Sequence, residues 1–548
     1  MVSPTALKRA APFVLWLAYA ATVASFLWIV SSRHLPDKGF TALLIVGDKT
    51  IERAIAPLRE LQPYTYPDSV GYDGQYYAQL AMNPDLGDPA LENAIDNLPF
   101  RARRMLISWI CWAAGGGDPA RALFLYSTIN IACWLALALL LLRWFPPAGW
   151  QNFLRWAGLL LTFGLCYSVR AALLDGPSLL SIAGAVALYE RRRLWSAAVL
   201  LGFAGLIRET NILAAVVLLP LGSRERKPWR DFLLQGAIAA APILLWSLVL
   251  AYRFGLGRQA GEQNLTWPFV GLVRCWTEAL TVLFRSGGDT YNSQNLLCLT
   301  ALTVQAAYLA LRPDSGNHWW RLGAAMLLLM GVLGTGVWAG YPISATRVLL
   351  PMALAFNVLV PRGAKWLPVL LLGNITLLSS FAVLGFTMST PTSHTFSGTR
   401  RAPTTHPAAW EARFDANWFP AERSAFQYWR WAGGDARIEI VNPLPVPVRA
   451  TVRFGLKSRG PRFLAVSTFG ITLWSGTVGG SLTRVELASV TLAPGANDWL
   501  FAATPPAPVK RSPADRGVVF SVRDLEIEIL GPATAATPPP PPGDTSAP

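Results

Sequence analysis

The feature that most constrains this chain is a succession of apolar stretches, each near the length needed to cross a hydrocarbon core, separated by short basic loops. A spanning helix needs about 20 apolar residues. Residues 11–31 supply them, directly after Lys8 and Arg9. Further stretches lie at 122–143, 152–170, 177–190, 232–253, 295–311, 322–340, 345–360 and 365–388. Of the 548 residues, 53% are hydrophobic and 14% charged, against about 25% charged in soluble domains. That deficit excludes a soluble enzyme. A cleaved signal peptide is the competing reading of 11–31, but Ser31-Ser32-Arg33-His34 makes a poor cleavage site. The segment therefore reads as an uncleaved first span with its N-terminus in the cytoplasm.

The loops that this order places inside hold Arg143 and Arg155, Arg191-Arg192-Arg193, the run from Arg224 to Arg230, Arg312 with Arg321, and Arg362 with Lys365. Each is net basic, as the positive-inside bias requires. Segment 194–222 could form one span of about 29 residues, which would invert every later loop. Splitting it at Arg208-Glu209-Thr210 gives two short helices that reach the outer side and return. The split keeps SRERKPWR inside. Charged residues and broken helices within a membrane line cavities. The fold class expected is a polytopic α-helical membrane domain of about eleven spans over residues 1–390, with 33–104 as its first outer loop. Segments 105–117 and 268–285 read as interfacial or re-entrant helices, with apolar or aromatic residues along them.

Beyond residue 390 the character changes. Residues 391–410, rich in Ser, Thr and Pro, read as a linker. From 411 to 531 short alternating runs recur, among them ARIEIV, RATVRFGL, RFLAVSTF and RVELASVTL. Their period of two, with turns at NPLP, SRGP and APGAND, predicts an antiparallel β-sandwich. After about eleven spans this domain falls on the outer, periplasmic side. Residues 532–548 read as a disordered Pro-rich tail. Five scattered cysteines and four scattered histidines argue against a disulfide framework, a His-ligated metal and a His general base. The net charge of +15 is accounted for by the inside loops, so nucleic acid is not an expected partner.

The outer face collects a selective polar set. The first loop carries ten acids, including Asp68 and Asp73, the latter within GYDGQYYAQLAMNP at 71–84. Tyr64, Tyr66, Tyr76 and Tyr77 lie close by in sequence. Asp96 precedes Arg101, Arg103 and Arg104; Arg170 and Asp175 share a short outer turn; Arg208 and Glu209 mark the helix break; Arg347 follows Tyr341-Pro342. A phosphate held by arginine and a hydroxyl deprotonated by a carboxylate would use this mixture. Blander readings stand beside it. Asp-Gly at 73–74 and Asp-Gly-Pro at 175–177 also make turns. The three arginines at 101–104 can touch anionic headgroups. Trp418, Trp429, Trp431, Trp474 and Trp499 fit sandwich-core packing better than sugar stacking.

YDGQYY at 72–77 resembles the first-loop motif of the GT-C superfamily of multi-span glycosyltransferases that use polyprenyl-phosphate sugars. FRARRMLISWI at 100–110, LLDGPSLLSIAGAVALYERRR at 173–193 and GLIRETNIL at 205–213 support the resemblance, which extends over about residues 11–390. It implies that Asp73 abstracts or orients the proton of an acceptor hydroxyl in an inverting displacement. Asp175 is implied as a second acid, and Arg208, Arg347, Arg101 and Arg104 as holders of the donor phosphate. Tyr72, Gln75, Tyr76 and Glu209 are implied as acceptor or sugar contacts. The implied partners are a polyprenyl-phosphate sugar, a glycan, lipid or protein acceptor, and the lipids of a bacterial inner membrane. The first loop lacks the Asp-Glu pair and the Asp-x-Asp of related families. No cofactor is certain on that pattern, and a divalent metal stays open. A non-catalytic transporter or scaffold of envelope polysaccharide assembly is the alternative, and mainly apolar spans weigh against the transporter.

Overall fold

The computed structural model describes residues 4–66, 69–221, 226–255, 264–286, 290–338, 344–384, 411–419, 422–423, 428–458, 460–480, 482–505 and 518–532. Asp68, Tyr341-Pro342, the 391–410 linker and the tail beyond residue 532 lie outside them. The chain divides into two compact units, one built on residues up to Met388 and one on those from Ser389 onward.

In the first unit the longer helices are α1 (Pro4–Ser31), α2 (Asp73–Met82), α3 (Leu106–Ala114), α4 (Pro119–Leu141), α5 (Trp150–Leu160), α6 (Phe163–Arg170), α7 (Asp175–Glu190), α8 (Leu194–Ile207), α9 (Arg226–Phe254), α10 (Val270–Ser286), α11 (Thr290–Leu311), α12 (His318–Val332) and α13 (Leu350–Leu359). Among the described residues, four helical stretches are long and apolar enough to cross a membrane: Phe13–Ser31, Pro119–Leu141, Lys227–Phe254 and Ser293–Leu311. The other apolar helices are shorter because polar residues interrupt them. The apolar stretch 152–170 stops at Leu160, and Thr162 restarts it by accepting from the Leu165 N–H at 3.4 Å. The stretch 365–388 breaks at Asn374, whose amide exchanges hydrogen bonds of 2.9 and 3.0 Å with Asn357 on α13.

Aromatic packing holds these helices together. Phe26 of α1 stacks on Trp134 of α4 with ring centroids 3.7 Å apart, and the Trp134 indole donates to the Leu160 carbonyl at 2.9 Å. The segment 194–218 forms a hairpin. α8 ends at Ile207, Arg208 is extended (φ −156°, ψ 129°), and a 3₁₀ helix, Glu209–Leu218, runs back. Asn211 donates to the Ala204 carbonyl at 2.8 Å. Arg321 of α12 donates to the carbonyls of Val216 and Val217 (3.1 and 2.9 Å) and reaches the Tyr189 hydroxyl at 3.5 Å. The chain has therefore returned to the end of α7 that carries Glu190, while Arg208 sits at the end that carries Asp175.

The second unit contains β1 (Glu411–Phe414), β2 (Glu422–Arg423), β3 (Tyr428–Ala432), β4 (Ala436–Asn442), β5 (Val448–Ser458), β6 (Arg462–Thr468), β7 (Ile471–Val478), β8 (Thr483–Leu492), β9 (Gly495–Thr504) and β10 (Phe520–Pro532). Two five-stranded antiparallel sheets have the orders β8-β5-β10-β3-β2 and β1-β4-β9-β6-β7. Alternate residues of both sheets meet in one core, including Ile438, Val452, Phe454 and Phe501. Trp418, Trp429 and Trp499 are buried, and Trp431 and Trp474 half-buried.

Candidate functional site

Local geometry fixes Asp73 at the first position of α2, where Tyr72 is extended and the helix N-terminus favours a carboxylate. Two glycines make that approach fit. Gly71 has φ +75°, the left-handed region. A Cβ on Gly74 would collide with the Ala171 carbonyl oxygen and lie 2.8 Å from that of Leu44. Gln75, implied by the resemblance as an acceptor or sugar contact, is instead a buried staple. Its Oε1 accepts from the Gly47 N–H (3.2 Å) and the Thr50 hydroxyl (3.1 Å), and its Nε2 donates to the Val70 carbonyl (2.8 Å). Burial without these partners would be costly, so the amide is committed to holding the loop.

Arg101 bridges two acids. Its Nη2 donates to Asp73 Oδ1 at 2.9 Å and to Asp96 Oδ2 at 2.8 Å, and its Nε to Asp96 Oδ1 at 3.0 Å. The guanidinium also lies over the ring of Tyr76, 5.1 Å from its centroid. Burial pushes the Asp73 carboxyl up, but the charge and hydrogen bond of Arg101, with Arg347 and Arg104 nearby, outweigh it and hold the group below the usual carboxylate range. Burial opposes the charge on Arg101 as well, and Asp96 and Asp73 more than reverse that. Arg104 pairs with Glu209 at 2.9 Å and donates to the Tyr77 hydroxyl at 3.2 Å. The Trp246 indole of α9 donates to the Ala102 carbonyl at 2.7 Å, tying this turn to a long helix.

A second acid lies close by. Asp175, buried at the first position of α7, pairs with Arg208 and stands 3.6 Å from Arg347 Nη1. Arg347 Nη2 donates to the Ser344 hydroxyl at 2.7 Å and, across 275 residues, to the Tyr72 hydroxyl at 3.2 Å. Tyr72 meets Tyr167 edge-on at 5.6 Å, and the Arg347 guanidinium lies over both rings. The two acid centres are linked twice: Tyr72 precedes Asp73, and Glu209 follows Arg208. Asp73, Asp175, Arg208, Arg347, Arg101, Arg104, Tyr72, Tyr76 and Glu209 thus gather at one end of the helical unit, while Gln75 supports from behind.

Beside them opens a cavity of about 760 Å³. Its lining mixes the charged Glu92, Asp96, Arg103 and Glu209 with apolar residues that include Ile212, Leu244 and Phe254. Sequence reasoning placed Asp96 and Arg103 on the outer face and Tyr77 near Asp73 but gave them no role in the site, and it missed Tyr167. The proximity of Asp96 to the arginine run was the one signal for it; Tyr167 sits inside an apolar stretch that gave none. Among the described residues, Arg103 has no hydrogen-bond or ion-pair partner, whereas Arg101, Arg104 and Arg208 are all paired. Around Asp73 the described residues form no preassembled cage for a divalent metal. No three His, Cys, Asp or Glu side chains come together among the described residues, and the Arg101 guanidinium already joins Asp73 to Asp96.

No protein-family model matches this chain, and no curated protein matches it. Among solved structures, the single-particle cryo-EM structure of arabinosyltransferase EmbB from Mycobacterium smegmatis is similar over 94% of this chain and 64% of that one, at 12% identity and a TM-score of 0.25. This chain spans less than two thirds of that protein's length, and no residue-by-residue correspondence follows at such a score.

Proposed function

We propose that this chain is a GT-C-type membrane glycosyltransferase that moves a sugar from a polyprenyl-phosphate donor to a glycan, lipid or protein acceptor outside a bacterial inner membrane. The observation that carries this reading is the meeting of acid–arginine pairs from distant turns beside a cavity lined by both charged and apolar side chains. A lipid phosphate linked to a sugar has that same mixed character. Its chain would lie along Ile212, Leu244 and Phe254, and its phosphate would approach Arg103. The acceptor oxygen attacks the anomeric carbon from the face opposite the phosphate. The bond from that carbon to the phosphate oxygen breaks, its electron pair leaves with the phosphate, and the hydroxyl proton passes to a carboxylate.

Asp73 is assigned to that proton. Held below the usual carboxylate range, it is a weak base that stays ionised at neutral pH. Glycosyl transfer runs through an oxocarbenium-like transition state. The acceptor oxygen therefore becomes acidic only late, and a fixed, charged acceptor of its hydrogen bond serves better than a strong base. Arg347 and Arg104 would stabilise charge growing on the leaving phosphate.

The test is turnover in liposomes containing the purified chain and a panel of polyprenyl-phosphate sugars, each labelled in the sugar. Wild type should consume at least one donor. Asp73→Asn should lose about 10² to 10⁴ of that rate, the range of a general-base contribution, with unchanged membrane insertion and melting. Normal turnover by Asp73→Asn sinks the assignment. No turnover of any donor, with glycan export still dependent on the chain, favours the transport or scaffold alternative.

A further inference from the structure

Helix α7 carries Asp175 at its first residue and Glu190 at its last, about 22 Å apart at 1.5 Å per residue. The far end is also built. Glu190 accepts from Arg143 Nε (2.9 Å), the Trp144 indole (3.0 Å), the Trp319 indole (3.1 Å) and faces His318 Nε2 at 3.3 Å. A carboxylate so covered is not awaiting a ligand. Its effect is to hold Arg143 by one nitrogen, leaving Nη1 and Nη2 with no partner among the described residues. Arg362 is held in the same manner: Nε donates to Asn152 Oδ1 at 3.2 Å and Nη2 to the Trp144 carbonyl at 3.4 Å, while Nη1 has no partner among the described residues. Both arginines line one cavity of about 670 Å³ together with Trp144.

We propose that this cavity binds a phospholipid headgroup through its phosphate, with Arg143 and Arg362 as the donors. Paired guanidinium N–H groups match phosphate oxygens. The source is a lipid because both arginines stand just past the ends of apolar helices, α4 ending at Leu141 and α13 at Leu359, where headgroups would meet the protein. Trp150 and Trp195, both exposed, mark the same end as interface anchors. Glu190 and Asp314 also line the cavity and oppose a second negative charge; they suit a headgroup with one phosphate better than a multiply charged anion.

The test is native mass spectrometry of the full chain in detergent, titrated with phosphatidylglycerol, with inorganic phosphate as a separate arm. Wild type should retain one phospholipid tightly, and Arg143→Gln/Arg362→Gln should bind it about tenfold or more weakly, as expected for lost hydrogen bonds to a charged group. Arg191→Gln/Arg192→Gln, on the exposed basic run outside the cavity, should bind as wild type does. Should the double variant fail to fold, Arg362→Gln alone should weaken binding measurably but by a smaller factor, since Arg143 still donates. Equal retention by wild type and the cavity variants overturns the site. Equal weakening in the Arg191/Arg192 variant overturns it in favour of diffuse charge. Saturable binding of inorganic phosphate without lipid overturns the lipid source.

Discussion

Replacing Arg101 by Met removes the group that joins the first acid centre. The side chain is 9% exposed and makes charge-assisted bonds of 2.9, 2.8 and 3.0 Å to Asp73 and Asp96. Removing one partner of a buried pair costs about 3–5 kcal/mol, because the remaining charge is left uncompensated. Asp73 and Asp96 are 30% and 44% exposed, so water recovers part of the loss, and about 2–4 kcal/mol is expected. Thermal melting in detergent should fall by roughly 4–8 °C. The pH dependence tests the cause. In wild type the folded Asp73 carboxyl lies below its ordinary value, so its contribution to stability is complete above about pH 4 and disappears only as pH falls through the folded value. Melting should show no pH dependence from Asp73 between pH 7.5 and 5. In Arg101→Met, burial is opposed only by the more weakly placed Arg347 and Arg104, and the carboxyl moves up. Its charged form is then the strained one, and protonation relieves it, so the variant should gain stability as pH falls from 7.5 to 5. Adding Asp73→Asn should restore part of the loss at pH 7.5. Unchanged melting in Arg101→Met, or further destabilisation on adding Asp73→Asn, would refute this account of the pair.

Gly74→Ala should destabilise the helical unit by about 1–3 kcal/mol through overpacking against Ala171 and Leu44, visible as a lower melting temperature and lower turnover together. Tyr72→Phe removes the acceptor of the Arg347 Nη2 bond and should lower turnover about tenfold with little change in melting; a wild-type rate would detach Tyr72 from the site. Arg103→Gln should raise KM for the donor about tenfold or more with kcat less affected, since it removes a cation offered equally to substrate and transition state. Trp499→Ala, at a position 1% exposed between the two sheets, should cost the β unit about 3–5 kcal/mol. Hydrogen exchange should then speed up in β4, β6 and β9 while α7 stays protected.

Sequence carried the coarse design because two signals are local. Apolar length marks long helices such as Pro119–Leu141, and a period of two marks strands such as ARIEIV. What it could not carry depends on contacts between distant residues. The breaks at Thr162 and Asn374 look like ordinary polar residues within apolar stretches until Asn374 meets Asn357. Strand β3, YWRWA, has aromatic residues on both faces and lacks the alternation that identifies β4. The hairpin at Arg208 was legible because an Arg-Glu pair inside an apolar run demands an explanation. Its partners were not: nothing near Arg208 points to Asp175, nor anything near Glu209 to Arg104. Gln75 shows the limit of a motif most directly. Its place in YDGQYY suggests contact with a ligand, and only the positions of Gly47, Thr50 and Val70 reveal a staple.

The pairings also bear on release of product. The four acids Asp73, Asp96, Asp175 and Glu209 face the four arginines Arg101, Arg104, Arg208 and Arg347, so these eight groups balance one another before any substrate arrives. On the proposed reaction, a phosphodiester donor would bring one negative charge, and the polyprenyl phosphate left after transfer would carry up to two. Four unpaired arginines would hold that product more tightly than the donor and slow its departure. Arginines already engaged with carboxylates would instead turn toward the phosphate as the bond breaks and return to the acids as it leaves. That arrangement concentrates attraction where charge is developing, which is the condition for raising a rate rather than only tightening binding.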